Sequence, residues 1–438
     1  MTSPDTDRKG RRSTGFARIP LVKALSAHRP AVSPMVMNLL VAGFLLATAN
    51  ATFLDRVSAY LSGNPGLVPV AAVLAYAAIL FCVSLFTLPG LVRPVLALAL
   101  VLGAVASHFQ DQLGVVIDRD MLQNALNTTG NESRHLMTVG FLTHLTAFGL
   151  VPAALVLWTK AKPMRWWLRL LHYPVTVVLA LGLFFAAMMV DYRTFSSMFR
   201  ERREIASAVI PATPIVAGVR LAKLKLVTAR LVAEPIGLDA KKGARIAAAG
   251  KPTLTLIVVG ETSRAANWSL GGYGRPTNPE LARRDIVYLD KVTSCGTSTA
   301  VSMPCMFAYY GMENHSETAS RSHQNLLDLL KQTDFDVQWL DNNTGSLGLA
   351  ARLPESRFKP TDDAEACAMG ECTDAVFLPQ LDKILAGITK DTVIVYHQIG
   401  SHGPAYYLRY PESFRPFADD CRSADFGKCT PEQIVNAY

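Results

Sequence analysis

Four short stretches of the chain set reactive side chains at one end of an apolar run. Glu261 and Thr262 close TLTLIVVGET, Asp341, Asn342 and Asn343 follow DVQWL, and His397 and His402 follow TVIVY. The fourth stretch, SCGTSTAVSMPC, places Ser298 and Thr299 just ahead of an apolar helical segment and between Cys295 and Cys305. Polar clusters at the ends of three such runs are harder to dismiss than one lone cap, and are a first functional signal. A helix N-terminus beside the hydroxyl would add free N–H groups and a favourable dipole for a phosphate. Each residue also has a plainer reading. Glu261 could cap the next helix, and Ser298 or Thr299 could be an N-cap and nothing more.

The elements that would hold these residues are strands alternating with helices. Leu254 to Val259 is a continuous β-branched run, which predicts a strand buried on both faces of a parallel sheet. Strands are also predicted at Phe335 to Leu340 and Thr392 to Tyr396, with helices at Gln324 to Lys331 and Ala375 to Ile388. Alternation of this kind gives an α/β layer fold, whose ligands bind outside the carboxyl ends of the strands. The polar clusters lie at those ends.

Ahead of this half the composition changes. Five uncharged runs, Met35 to Leu54, Gly66 to Leu88, Pro94 to Gln110, Leu136 to Thr159 and Leu170 to Val190, are long enough to span a hydrocarbon core of about 30 Å. Lys and Arg crowd the leader before Met35 and the loop Lys160 to Arg169, so these face the cytoplasm, and everything after Val190 lies outside it, in the periplasm. The expected division is a basic leader (1–34), a five-span transmembrane domain (35–190), a connector (191–250) and an α/β domain (251–438). Within the connector, Val216 to Val232 holds four basic residues and no acid, which suits either a segment resting on anionic headgroups or a plain linker. Six of the seven cysteines lie beyond residue 290 in close pairs, Cys295 with Cys305, Cys367 with Cys372 and Cys421 with Cys429. In an oxidising compartment such pairs predict three local disulfides, and their spacings do not make a zinc ribbon. The net charge of +8 is largely that of the cytoplasmic segments. With no aromatic-interleaved basic motif, nucleic acid is not an expected partner.

The blocks VVGETSRAANWSLGGYGRPTNPEL, VTSCGTSTAVSMPCMF, DNN and HQIGSHGPAYYLRYP, with MLQNALNTTGNE in the outward loop, resemble successive blocks of the bacterial lipid A phosphoethanolamine transferases, the family that includes the transferable polymyxin-resistance enzymes. The resemblance runs from the first span to Tyr438. It implies a five-helix anchor joined to a sulfatase-like, alkaline-phosphatase-type domain with a catalytic Zn2+. It further implies Thr299 as nucleophile and metal ligand, Glu261 as metal ligand, and Asn343 and His402 in the phosphate pocket. Asn124 and Glu132 would belong to a substrate motif on the membrane side. The implied reaction moves phosphoethanolamine from phosphatidylethanolamine to Thr299 and then to a lipid A phosphate, at the bilayer surface, in a monomer.

Two departures from the family pattern qualify this. Leu347 stands where the family has a phosphate-binding lysine, and no SDHGE-type motif supplies the Asp-His pair that completes the zinc site. Thr430, Pro431 and Gln433 read as the start of a helix, with only eight residues after the cap. The expectation is therefore a C-terminally incomplete domain that binds zinc weakly or not at all. Two alternatives remain at the level of sequence: another enzyme of the same fold, either a related transferase acting on heptose, glycan or protein or a metal-dependent hydrolase, and a membrane remnant without activity.

Overall fold

The computed structural model describes residues 29–128, 130–163, 165–368 and 370–438, apart from the side chains of 131, 132 and 169. All of the leader's basic residues except Arg29 lie outside the described residues.

The apolar runs become helices that pack into one bundle. They are α1 (Pro34–Ala49), α2 (Ala51–Tyr60), α3 (Val68–Phe86) and α4 (Val92–Leu113), followed after the outward loop by two longer apolar segments. The first run is not one straight span. It breaks at Asn50, and α2 leaves α1 at 70°. Asn50 is fully buried, and its amide gives hydrogen bonds to the carbonyls of Leu45 and Ile210 and takes one from the Ile210 N–H, all at 2.9 Å. A buried amide holding backbone groups 160 residues away fixes the bend, because each of those groups would otherwise be unpaired.

The outward loop folds as α5 (Arg119–Asn127) and α6 (Gly130–Leu136). The next span, α7, covers Val139–Trp158 and includes a π-helical stretch, Leu145–Leu150, ahead of Pro152. Proline has no N–H and its ring clashes with the carbonyl one turn earlier, so the ladder widens there. The last span is α8 (Trp166–Val190). By length and apolarity four helices qualify as spans, and five with the bent pair α1–α2. The connector is mostly helical, its longest element being α9 (Ala212–Thr228), on which Ala217 and Leu221 are buried.

The second half is built on four parallel strands: β1 (Leu254–Val259), β2 (Asp336–Asp341), β3 (Glu355–Arg357) and β4 (Thr392–His397), in the order β1-β4-β2-β3. Register sets Val259, His397 and Asp341 level, so the three central carboxyl ends form one edge. β4 is buried throughout, as a central strand of Val and Ile should be. β1 departs from expectation. Ile257 and Val259 join Met303, Phe307 and Trp339 in the core, but Leu256 and Val258 are 40% and 55% exposed. β1 lies at the edge of the sheet, with a strand neighbour on one side only, and the face that carries Leu256 and Val258 is left open. Helices α10 (Thr299–Met306), α11 (Leu326–Gln332), α12 (Phe377–Gly387) and α13 (Pro431–Ala437) complete the layer, α13 opening with the Thr430–Gln433 capping box. Three disulfides, Cys295–Cys305, Cys367–Cys372 and Cys421–Cys429, tie loops of this half, and Cys82 is free.

Candidate active site

Thr299 is the first residue of α10 and half-buried, and its hydroxyl donates a 2.8 Å hydrogen bond to Glu261 Oε2. The other oxygen, Oε1, accepts from the Thr262 N–H at 3.1 Å and the Thr262 hydroxyl at 2.9 Å. Glu261 therefore caps no helix; both oxygens are turned onto threonines. Thr262 sits at φ 53°, a left-handed conformation that costs a β-branched residue about 1–3 kcal/mol. Its two bonds to Glu261 and the 2.6 Å bond from the Tyr438 hydroxyl to its carbonyl hold it there, and the chain turns sharply off β1 as a result.

Ser298 occupies the N-cap position of α10, yet its side chain makes no capping bond. Its hydroxyl donates instead to Asn124 Oδ1 at 3.0 Å, across 174 residues, from the sheet domain to α5. The plain N-cap reading of Ser298 is thus replaced by a tie to the outward loop, directly beside Thr299. Gln123 adds a 3.3 Å bond to Glu317 from the same helix. Glu132 lies in α6, and its side chain is outside the described residues.

A second cluster surrounds a cavity of about 230 Å³ lined by Asn343, His402, Arg357, Arg409 and Glu371 among others. Asp341, 1% exposed, organises one wall: its carboxylate accepts from the Asn343 and Gly345 N–H groups at 3.2 and 2.9 Å and meets His397 Nδ1 at 2.7 Å. The DNNTG loop is wound about that carboxylate in the manner of an Asx turn. Asn343 then donates to the Gln398 carbonyl at 2.8 Å. Asp374 holds the opposite loop, taking the Ile399 and Gly400 N–H groups at 2.9 and 3.0 Å. Arg409 donates to the His402 carbonyl at 2.8 Å and to Glu371 at 2.6 Å, and Glu371 lies 3.4 Å from His135 of α6.

The two clusters share a seam. Gly400 at φ 50° packs on the Glu261 backbone so closely that a β-carbon there would collide with it. Thr299 and Glu261 are in direct contact, Asn124 reaches them through Ser298, and Asn343 with His402 line the adjoining cavity. Leu347, at φ 51°, lines a different cavity, with Gln123, Ala300 and Glu317. Arg409, Glu371 and Asp374 had no place in the sequence reading, although Arg409 lies in the quoted block HGPAYYLRYP and Glu371 between paired cysteines.

Residues 75–226 match the family described as phosphoethanolamine transferase EptA/EptB, and residues 253–438 match the sulfatase family. The chain is 36% identical to the phosphatidylethanolamine transferase Mcr-1 of Escherichia coli over 94% of its own length and 78% of that protein. With the phosphoethanolamine transferase EptA of Escherichia coli K12 it shares 35% identity, over 94% of its own length and 76% of the relative's. The chain belongs to the phosphoethanolamine transferase family. Its structure superimposes on the integral membrane lipooligosaccharide phosphoethanolamine transferase A of Neisseria meningitidis with a TM-score of 0.85 and 31% identity, over 93% of this chain and 77% of that one. It is an inner-membrane phosphoethanolamine transferase with a sulfatase-like domain on the periplasmic side.

The donors around Thr299 do not by themselves fit a tetrahedral zinc, which takes four. Glu261 and Thr299 give two oxygens, and no group of three or more His, Cys, Asp or Glu able to hold a metal occurs among the described residues.

Proposed function

We propose that this transferase moves phosphoethanolamine from phosphatidylethanolamine to a lipid A phosphate through a phosphothreonine at Thr299, an activity that confers polymyxin resistance. The 2.8 Å hydrogen bond from the Thr299 hydroxyl to Glu261 carries the reading, because it fixes the hydroxyl and places a proton acceptor on it. In the first half-reaction Thr299 Oγ1 bonds to phosphorus, the bond to the diacylglycerol oxygen breaks, and the hydroxyl proton leaves toward Glu261 Oε2 and ends on the diacylglycerol. In the second, an oxygen of the lipid A phosphate bonds to the same phosphorus, the bond from phosphorus to Thr299 Oγ1 breaks, and the proton of the acceptor phosphate passes by way of Glu261 Oε2 to Thr299 Oγ1. His402, Asn343 and Arg409 suit the phosphoryl oxygens, since they bring imidazole, amide and guanidinium groups to one cavity. Asn124 and the α5–α6 loop, with Glu132, would keep both lipids at the bilayer surface. Glu261 and Thr299 are also the two residues a zinc would take here, and a monomer contains every contact named.

Mass spectrometry of lipid A from cells expressing the gene at its full length tests this. The mass of one phosphoethanolamine should appear with the wild type and vanish with Thr299→Ala; modification surviving that substitution would remove Thr299 as nucleophile. Metal analysis of purified residues 1–438 should find well below one zinc per chain.

A further inference from the structure

The cytoplasmic ends of all five spans surround a cavity of about 180 Å³, lined by Asn38, Ser84, Thr87, Arg93, Lys162 and His172. It lies at the starts of α1, α4 and α8 and the ends of α3 and α7, whereas the sheet domain follows from the far end of α8. The transfer site is therefore on the other side of the membrane from it.

The cavity is a built polar site inside an apolar bundle. Asn38 and Ser84 are 4% and 1% exposed. Asn38 Nδ2 donates to Thr87 Oγ1 at 3.0 Å, and Thr87 Oγ1 donates to the Ser84 carbonyl at 3.1 Å. That leaves Asn38 Oδ1 and Ser84 Oγ, both buried, without a partner. Buried polar atoms in a bundle are normally paired, so two orphans on residues that line one cavity point to a ligand that pairs them. Charge at the mouth gives the ligand's sign. Lys162 is exposed and its ammonium makes no hydrogen bond or ion pair among the described residues, and Arg93 spends one nitrogen on the carbonyls of Leu157 and Thr159 at 3.4 and 2.9 Å. Trp166 and Trp167, 73% and 45% exposed, stand at the same end, where aromatic side chains mark headgroup depth.

We propose that this cavity binds the headgroup of a cytoplasmic-leaflet glycerophospholipid, its phosphate on Lys162 and Arg93 and a hydrogen-bond donor of the headgroup on Asn38 Oδ1 and Ser84 Oγ. The volume equals that of about six waters, enough for a phosphate bearing a short amino or hydroxyl alcohol. Because Asn38 Oδ1 can only accept, the headgroup must carry an N–H or O–H. Ethanolamine and glycerol headgroups do, and choline does not.

Native mass spectrometry of the delipidated full chain in mild detergent tests this, with binding at the site read as the difference between wild type and Lys162→Glu. The probes are short-chain phosphatidylethanolamine, phosphatidylglycerol, phosphatidylcholine and inorganic phosphate. The expected result is one Lys162-dependent adduct with the ethanolamine lipid, the glycerol lipid or both, at least tenfold stronger than with the choline lipid. Asn38→Val should remove that preference over choline. Lys162 is exposed, so Lys162→Glu should keep the wild-type melting temperature and elution profile, and loss of the adduct then reports on the site. Adducts unaffected by Lys162→Glu, equal binding of phosphatidylcholine, or inorganic phosphate binding as strongly as the lipids would each overturn the proposal.

Discussion

Thr299 owes its setting to two neighbours, Glu261 on its hydroxyl and Ser298 beside it. Thr299→Ser keeps a hydroxyl in place and should retain measurable transfer, unlike Thr299→Ala. Ser298→Ala removes one neutral hydrogen bond, worth about 1 kcal/mol, so kcat/KM should fall about fivefold with Asn124 left otherwise intact. Asn124→Ala should cost a similar factor, and the double variant should be no worse than either single one. Additive losses in that cycle would show that the two residues act separately.

At the scale of elements, the loops after β1 and β4 must be pressed together for Glu261 to reach Thr299. Gly400 is the position that permits it, since its φ of 50° and the adjacent Glu261 backbone leave no room for a side chain. Gly400→Ala should therefore reduce transfer far more than it lowers the melting temperature, as activity assays beside thermal unfolding would reveal. The opposite end of the same strands is tied by Asp391, whose carboxylate takes the Lys242 ammonium at 2.8 Å and both the N–H and hydroxyl of Thr253. These contacts hold its pKa at about 2, below the usual 3.8. Because the folded value is the lower one, the stabilisation is complete above about pH 4 and disappears as pH falls through 2. Asp391→Asn should lower the melting temperature at pH 7 and flatten its decline over that acid window.

For the whole molecule, the question is how a membrane bundle and a sheet domain keep one geometry. Ser298 to Asn124, Gln123 to Glu317, and His135 beside the Glu371–Arg409 pair all cross that junction. Asn50 does the corresponding work inside the bundle, joining the α1–α2 bend to Ile210. Asn50→Leu would leave the buried N–H and carbonyl of Ile210 unpaired and should destabilise the protein by about 2–4 kcal/mol. Thermal unfolding in detergent checks this, and an unchanged melting temperature would mean the bend does not depend on Asn50.

The sequence by itself determined the apolar runs, the strands and their polar ends, because hydropathy and periodicity are local: TLTLIVVGE reads as a strand with a carboxylate just past its end. The motif blocks likewise pointed to Thr299 and Glu261 before any contact was known. Local pattern could not say that α1 breaks at Asn50, that β1 is an edge strand with Leu256 and Val258 open, or that Ser298 turns from its own helix to Asn124. Each of these depends on a partner more than a hundred residues away, or on the lack of one. Tertiary structure decided them, since a buried amide, an uncovered strand face and a hydroxyl with a distant acceptor take their meaning from what is packed against them.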